Sequence, residues 1–278
     1  MPPKTSIIIL TMNGLEVTKQ CVESIFRHTE DFECIFVDNG STDGTREYLQ
    51  TIPHSQLIVN EVNRGFSGGN NQGMAAAKGE YIVLLNNDTV VTENWLNGLL
   101  AWLEQNPSIG IVGPRAHFIS GSQMVDGVTY QNMQEMEVFA REWVKQHRGQ
   151  GFFPHKLLGF CMVFHRSLME KIGGLDERFF PGNFEDDDFS LRTRIAGKIL
   201  WVANDVFIHH YGSVTFQTNQ VNNYLALLTN AEKFAKKWRI GISGLQLWRF
   251  GYDIEALVAR EQPFHPDRHY IPLTPRNE

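Results

Sequence analysis

The chain has 278 residues, enough to bury one large core or one core with a small appendage. Hydrophobic residues make up 42% and charged residues 20%, an ordinary globular balance. The net charge of -6 argues against a nucleic-acid backbone as the main partner, because phosphate binding favours a basic surface. Cys21, Cys34 and Cys161 form an odd, widely spaced set without a zinc pattern, so reduced thiols in a cytoplasmic protein are expected. Met1-Pro2-Pro3-Lys4 runs straight into a strand-like segment, so no signal peptide is expected, and no apolar run reaches the ~18 residues of a membrane span.

In chain order, Thr5 to Leu10 is a continuous apolar run that suits a strand buried on both faces. Leu15 to His28 has helical spacing through Val17, Cys21, Val22 and Ile25. A second strand, Glu33 to Val37, ends in the turn-rich loop Asp38-Asn39-Gly40-Ser41-Thr42-Asp43-Gly44. Thr45 to Gln50 reads as a short helix and Gln56 to Val62 as a third strand. Asn63 to Asn70 reads as a Gly/Asn loop, Asn71 to Lys78 as a small-residue helix, and Tyr81 to Leu85 as a fourth buried strand ending at Asn86-Asn87-Asp88. This alternation predicts an α/β fold with a mostly parallel sheet flanked by helices. Ligands of such sheets sit outside the carboxyl ends of the strands, where Thr11-Met12-Asn13, the Asp38 loop and the Asp88 loop all fall.

The second half reads as a helix from Trp95 to Gln105 behind a Thr92 cap, a strand from Ile109 to Gly113, and an irregular stretch over 116–156 with a helix near Met133 to Gln146. Leu158 to His165 reads as a strand, and Ser167 to Ile172 as a helix that Gly173-Gly174 ends. Glu185 to Ile195 reads as a helix with acids at its start. Two short strands, Ile199 to Val202 and Val206 to Ile208, and a helix from Ala226 to Trp238 follow, with a poorly ordered tail beyond Phe264.

Four clusters carry candidate chemistry. Asp38 at a strand end can accept bonds from a base or ribose, or simply close an Asx-turn. Asp88 can hold a divalent cation that bridges phosphates, since Mg²⁺ and Mn²⁺ prefer oxygen ligands and take few carboxylates beside a substrate, or it can cap a turn. Glu185-Asp186-Asp187-Asp188 lies among Phe179, Phe180, Phe184 and Phe189; an apolar setting raises a carboxyl pKa toward that of a general base, whereas a solvated helix start is the plainer reading. His209-His210 precedes Tyr211-Gly212-Ser213, where an imidazole can ligate metal or be structural.

The order of "VDNGSTDGT", "NRGFSGGNNQG", "LLNNDT", "GGLDERFF…FEDDDFSLR" and "HHYGS" resembles family 2 glycosyltransferases of the GT-A fold, in their rhamnosyl- and N-acetylhexosaminyl-transferase-like branch. The resemblance spans about residues 5 to 215. It implies a catalytic domain over 1–215, with a nucleotide-sugar half to about 115 and an acceptor and base half over 116–215, then a helical extension over 216–278. It implies that Thr11, Asn13, Asp38, Arg64, Gly68, Asn70, Asn86 and Asn87 line the donor pocket, and that Gly159 lies in the stretch beneath the sugar. Asp88 matches the last acid of the family's Asp-x-Asp metal motif, with Asn86 in place of the first. His209 is favoured over His210 as a further ligand for Mn²⁺ or Mg²⁺. Asp186 matches the catalytic base, with Glu185 and Asp188 the nearby alternatives.

The implied activity is inverting sugar transfer from a nucleotide-diphosphate donor. UDP-linked N-acetylhexosamine leads, dTDP-rhamnose is its rival, and the acceptor is a glycan, a lipid-linked glycan or a protein hydroxyl. A sugar nucleotidyltransferase would carry a Gly-rich basic loop after the first strand, where Thr11-Met12-Asn13-Gly14-Leu15-Glu16 stands instead. A silent nucleotide-sugar-binding scaffold is the other alternative, fed by Asn86. Over 215–248 and just beyond, Phe234, Trp238, Leu245, Leu247, Trp248 and Phe250 lie among Lys233, Lys236, Lys237, Arg239 and Arg249; the readings are a helix covering the catalytic core, a peripheral membrane contact or a homodimer contact.

Overall fold

The structure is a computed structural model describing residues 3–212, 223–241 and 252–273. Its centre is a nine-stranded sheet. The strands are β1 (Thr5–Thr11), β2 (Phe32–Asp38), β3 (Ser55–Val59), β4 (Tyr81–Asn86), β5 (Thr89–Val90), β6 (Ile109–Ala116), β7 (Gly151–Phe152), β8 (Cys161–His165) and β9 (Ile199–His210). Their spatial order is β3-β2-β1-β4-β8-β6-β9-β5, with β7 also paired to β9. β1 to β4 are parallel, and so are β6 and β9. β8 runs antiparallel to both its neighbours. The start of β8 therefore lies at the same edge as the ends of β1, β4 and β6.

β1 is central, and Ile7, Ile8 and Ile9 are fully buried. On one face Ile7, Ile9, Phe36 and Val83 meet α1 (Leu15–His28) and α4 (Trp95–Gln105) through Cys21, Ile25, Trp95 and Leu99. On the other, Ile8, Ile35 and Ile82 meet Met74 of α3 (Gly65–Ala76) and Phe189 of α7 (Glu185–Ile195). Burying each such side chain contributes about 1.5–3 kcal/mol. The remaining α-helices before residue 212 are α2 (Thr45–Gln50), α5 (Met133–His147) and α6 (Arg166–Ile172).

Several expectations are corrected. The Gly/Asn stretch expected as a loop over Asn63 to Asn70 is mostly helix, since α3 starts at Gly65. Glycine costs helix propensity, but here it lets the helix lie on β1: a Cβ at Gly69 would collide with Leu10, and one at Gly73 with Ile8. The residue before α4 that takes the cap position is Asn94, in the left-handed region at φ 60°, not Thr92; the Thr92 hydroxyl donates to Phe207 O. The two short strands near the His pair are one strand, β9, whose pairing with β6 shifts register between Pro114 and Arg115. β8 begins at Cys161 rather than Leu158.

After residue 222 come α8 (Asn223–Lys237), α9 (Ile254–Glu261) and α10 (Pro266–His269). They pack on the preceding region: Phe234, Trp238 and Leu257 meet Phe179 and Leu191. Phe234 and Trp238 are thus core residues, unavailable to a membrane or a partner. Leu245, Leu247, Trp248, Phe250, Ser213 and Arg249 lie outside the described residues. The tail beyond Phe264 is docked as far as residue 273, with Ile271 bridging to Gly173. Among the described residues no helix is long and apolar enough to cross a membrane. Cys21, Cys34 and Cys161 are buried, unbridged thiols.

Candidate active site

The polar edge begins where β1 and β2 end, with Thr11 and Asp38 in register. Thr11 Oγ1 donates to Asp38 Oδ1 at 3.2 Å. Asp38 Oδ2 accepts from the Ser41 N–H at 3.1 Å and from Arg46 Nε at 3.2 Å. Asp38 is fully buried, so these three donors compensate its charge while the turn closes. Arg46 was not singled out in the sequence; it stands eight residues away across a loop and a helical turn. Asn13 adopts φ 59°, and its side-chain oxygen accepts from the Thr42 N–H at 2.8 Å. Asn87 Nδ2 donates to Thr18 Oγ1 at 2.9 Å. The first and third loops are thereby fixed to the second and to α1.

Arg64 precedes α3 and is half-buried. Gly68 packs so closely that an added Cβ would stand 3.2 Å from Arg64 Cβ. Asn70 is buried and donates to Phe66 O at 2.9 Å, a bond within the first turns of its own helix. Asn86 ends β4, half-buried, and its N–H donates to Phe160 O at 2.9 Å.

Asp88 and the His pair meet where β5 joins β9, with Thr89 opposite His210 and Val90 opposite His209. His210 is the histidine beside Asp88: Nε2 lies 3.2 Å from Oδ1. His210 Nδ1 lies 3.2 Å from Phe118 O. A carbonyl only accepts, so Nδ1 carries the proton and Nε2 turns its lone pair toward a carboxylate oxygen. Two such acceptors facing each other require a proton or a cation between them. His209 points elsewhere, with Nδ1 2.6 Å from the Tyr130 hydroxyl. Burial, aided by His117 and His210, lowers its pKa to about 4 and keeps it neutral. The sequence preference for His209 thus falls on the residue that the structure places against Tyr130. Asp88 and His210 fit a hard divalent cation that completes its shell with water and phosphate oxygens. Among the described residues no group of three or more His, Cys, Asp or Glu side chains is gathered for a metal.

The acidic run at the start of α7 divides by residue. Asp186 Oδ2 accepts from the Gly159 N–H at 3.1 Å and Oδ1 from the Asp187 N–H at 2.9 Å. Asp186 is half-buried. Burial, and then the Asp187 charge, push its pKa up to about 6, while Lys156 and the two N–H groups hold it back. Glu185 is buried with Oε2 unpartnered; burial and then the Asp186 charge push its carboxyl well above the usual range. Asp187 pairs with Lys156 at 2.7 Å. Asp188 is fully buried between Arg192 at 2.8 Å, Lys237 at 2.5 Å and Trp238 Nε1 at 2.9 Å. One run therefore contains an accessible carboxylate, a protonation-prone acid and two ion-paired anchors. Asn86–Phe160 and Gly159–Asp186 are consecutive links joining the Asp88 edge to Asp186.

Comparison with known proteins places this geometry in a context. The model of glycosyl transferase family 2 matches residues 6–173. The chain is 30% identical over 233 residues to the uncharacterized protein y4gI of Sinorhizobium fredii, covering 75% of this chain and 24% of that one. It thus spans about a quarter of that relative's length. It is 26% identical over 208 residues to the N-acetylglucosaminyl-diphospho-decaprenol L-rhamnosyltransferase of Mycobacterium tuberculosis, covering 63% of this chain and 66% of that one. A mannosyltransferase from Pyrobaculum calidifontis, solved with GDP-Man and Mn²⁺, superposes with a TM-score of 0.60 at 18% identity, covering 94% of this chain and 74% of that one.

Proposed function

The chain belongs to glycosyl transferase family 2 and has the GT-A fold, and from that premise we propose that it transfers a sugar from a nucleotide-diphosphate donor to an acceptor hydroxyl with inversion. The observation that carries the reading is Asp186: a half-buried carboxylate, oriented by two backbone N–H groups at the ligand edge, with a pKa of about 6. At neutral pH it is ionised yet basic enough to take a proton, the compromise a general base needs.

Asp186 accepts the proton of the acceptor hydroxyl as that oxygen attacks the anomeric carbon from the face opposite the diphosphate. The carbon–oxygen bond to the diphosphate breaks in the same displacement, which inverts the centre. Thr11, Asn13 and Asp38 bind the nucleoside, with Asp38 on base or ribose. Arg64, Gly68, Asn70, Asn86, Asn87 and Gly159 complete the donor pocket. Asp88 and His210 would hold Mn²⁺ or Mg²⁺, and such an ion supplies charge neutralisation for the leaving diphosphate. Glu185 favours its protonated form and serves less well as a base.

We assign 1–115 to the donor, 116–215 to the acceptor and base, and the C-terminal helices to support of α7. UDP-N-acetylhexosamine and dTDP-rhamnose are the donors we favour; the named activity of the Mycobacterium tuberculosis relative supports the second. The acceptor class comprises glycans, lipid-linked glycans and protein hydroxyls. The reaction is placed in the cytoplasm, where nucleotide sugars are made.

Calorimetric titration of UDP, dTDP and GDP into the full chain, with Mn²⁺ and with chelator, tests the proposal. Selective, Mn²⁺-enhanced binding of one nucleotide is expected and names the donor class. Absence of binding by all three leaves a shared fold without the donor pocket.

A further inference from the structure

Behind the catalytic helix lies a cleft of about 550 Å³, lined by Arg178, Phe179, Lys233, Lys236 and Lys237. That volume is within the ~300–1,000 Å³ of small-ligand pockets. Lys233, Lys236 and Lys237 fall at i, i+3 and i+4 on α8, hence on one face. Arg178 comes from the turn before the cis Phe180-Pro181 bond.

The charge of the cleft is not balanced. Asp176 pairs with both Arg178 and Lys237. Asp188 pairs with Lys237 and with the buried Arg192. Among the described residues neither Lys233 nor Lys236 has an acidic partner; Lys233 Nζ donates to Arg178 O at 2.7 Å, leaving further donors. The carbonyl end of α8 accounts for Lys236 and Lys237 in its last turn, but not for Lys233 or Arg178. A concave surface with surplus ammonium groups and one guanidinium suits a multiply charged oxyanion.

We propose that this cleft is a binding site for a phosphate or diphosphate group, separate from the donor pocket at the sheet edge. It abuts α7, because Lys237 grips Asp188, two residues beyond Asp186. That position suits an anion carried by an acceptor, and the same chemistry suits the free anion. The site itself does not depend on the transferase reading.

The test is titration of inorganic pyrophosphate into the full chain in the presence of chelator. Wild type and Asp88→Asn are expected to bind alike. Lys236→Glu should weaken binding about tenfold, and Lys233→Glu/Lys236→Glu further. Lys236 is exposed, so its substitution should lower the melting temperature only by the small contribution of one cation at a helix end, which separates lost binding from lost fold. An octyl diphosphate arm distinguishes the sources: tighter binding than pyrophosphate assigns the site to an acceptor-borne group, and equal binding assigns it to the free anion. Three results overturn the proposal: no binding by wild type, equal affinity in wild type and both charge-reversed variants, or loss of binding in Asp88→Asn.

Discussion

His210 Nε2 faces Asp88 Oδ1 across 3.2 Å, while its other ring nitrogen is committed to the Phe118 carbonyl. A proton or a cation between the two groups would satisfy both; on the proposed function it is a cation, and the adjacent His209, turned to Tyr130, takes no part. His210→Ala should reduce the Mn²⁺-dependent gain in nucleotide affinity at least about tenfold, by the scale of metal-site perturbations. His209→Ala should keep that gain and instead lose about 1 kcal/mol of stability, because the half-buried Tyr130 hydroxyl loses its partner. Calorimetry and urea unfolding on both variants decide; an equal loss of Mn²⁺ response would refute the division.

Asp186→Asn keeps the shape of the site and removes the base. Turnover should fall by about 10²–10⁴ with nucleotide affinity unchanged. In the wild type, kcat/KM should drop about tenfold per pH unit below a pH of about 6, as Asp186 takes up its proton. A profile flat down to pH 4.5 would remove Asp186 from this role.

The same residue should carry a stability cost. Its pKa is raised in the folded state, from 3.8 to about 6. The folded protein therefore holds the proton more tightly, and this relative stability is full below pH 3.8 and lost as pH rises through about 6. At pH 7.5 the wild type bears a desolvated charge that Asp186→Asn lacks. The variant should melt a few degrees higher there, at about 2–4 °C per kcal/mol for a chain of this size, and the gap should close near pH 4. Thermal melts at the two pH values measure it; a variant less stable at pH 7.5 contradicts the expectation.

Asp188 should behave in the opposite way. Arg192 is fully buried with this carboxylate as its ion-pair partner, and Lys237, nearly buried, is shared between it and Asp176. Asp188→Ala should cost about 3–5 kcal/mol, the penalty of stranding buried charge. Denaturant titration of this variant beside Asp186→Asn distinguishes anchor from base within three residues of sequence. Equal stabilities would mean that the network is not holding α7.

The buried strands and most helices were legible because their patterns are local. The run Ile7-Ile8-Ile9 can only be covered on both faces, and Trp95 to Gln105 repeats at helical spacing. The start of α3 was not, because glycine and asparagine signal turns, and only the proximity of β1 makes a glycine face useful. Which histidine meets Asp88 was equally hidden. Adjacent strand residues point to opposite sides, and the choice depends on register with β5, beyond any spacing to Gly212. Lys156 and Arg46 are joined to their acids through tertiary contacts that no local motif announces. The tail is docked by backbone bonds of Ile271 to Ile172 and Gly174 and by packing of Phe264 and Leu273, none of it visible in composition.

The reversal of β8 has a consequence for how such a protein diversifies. β6 ends and β8 begins at one edge, so residues 117–160 form an excursion that leaves and returns along the same line. Near its two ends stand Phe118, whose carbonyl orients His210, and Gly159, whose N–H orients Asp186. Between those points α5 is packed on β9 through Met136, Ala140 and Phe207, and β7 is paired to β9, so only the links between these elements can lengthen or shorten without altering the strands. On the function proposed above, those links are where a change of acceptor would be written, leaving the strand-end edge that we assign to the donor as it is.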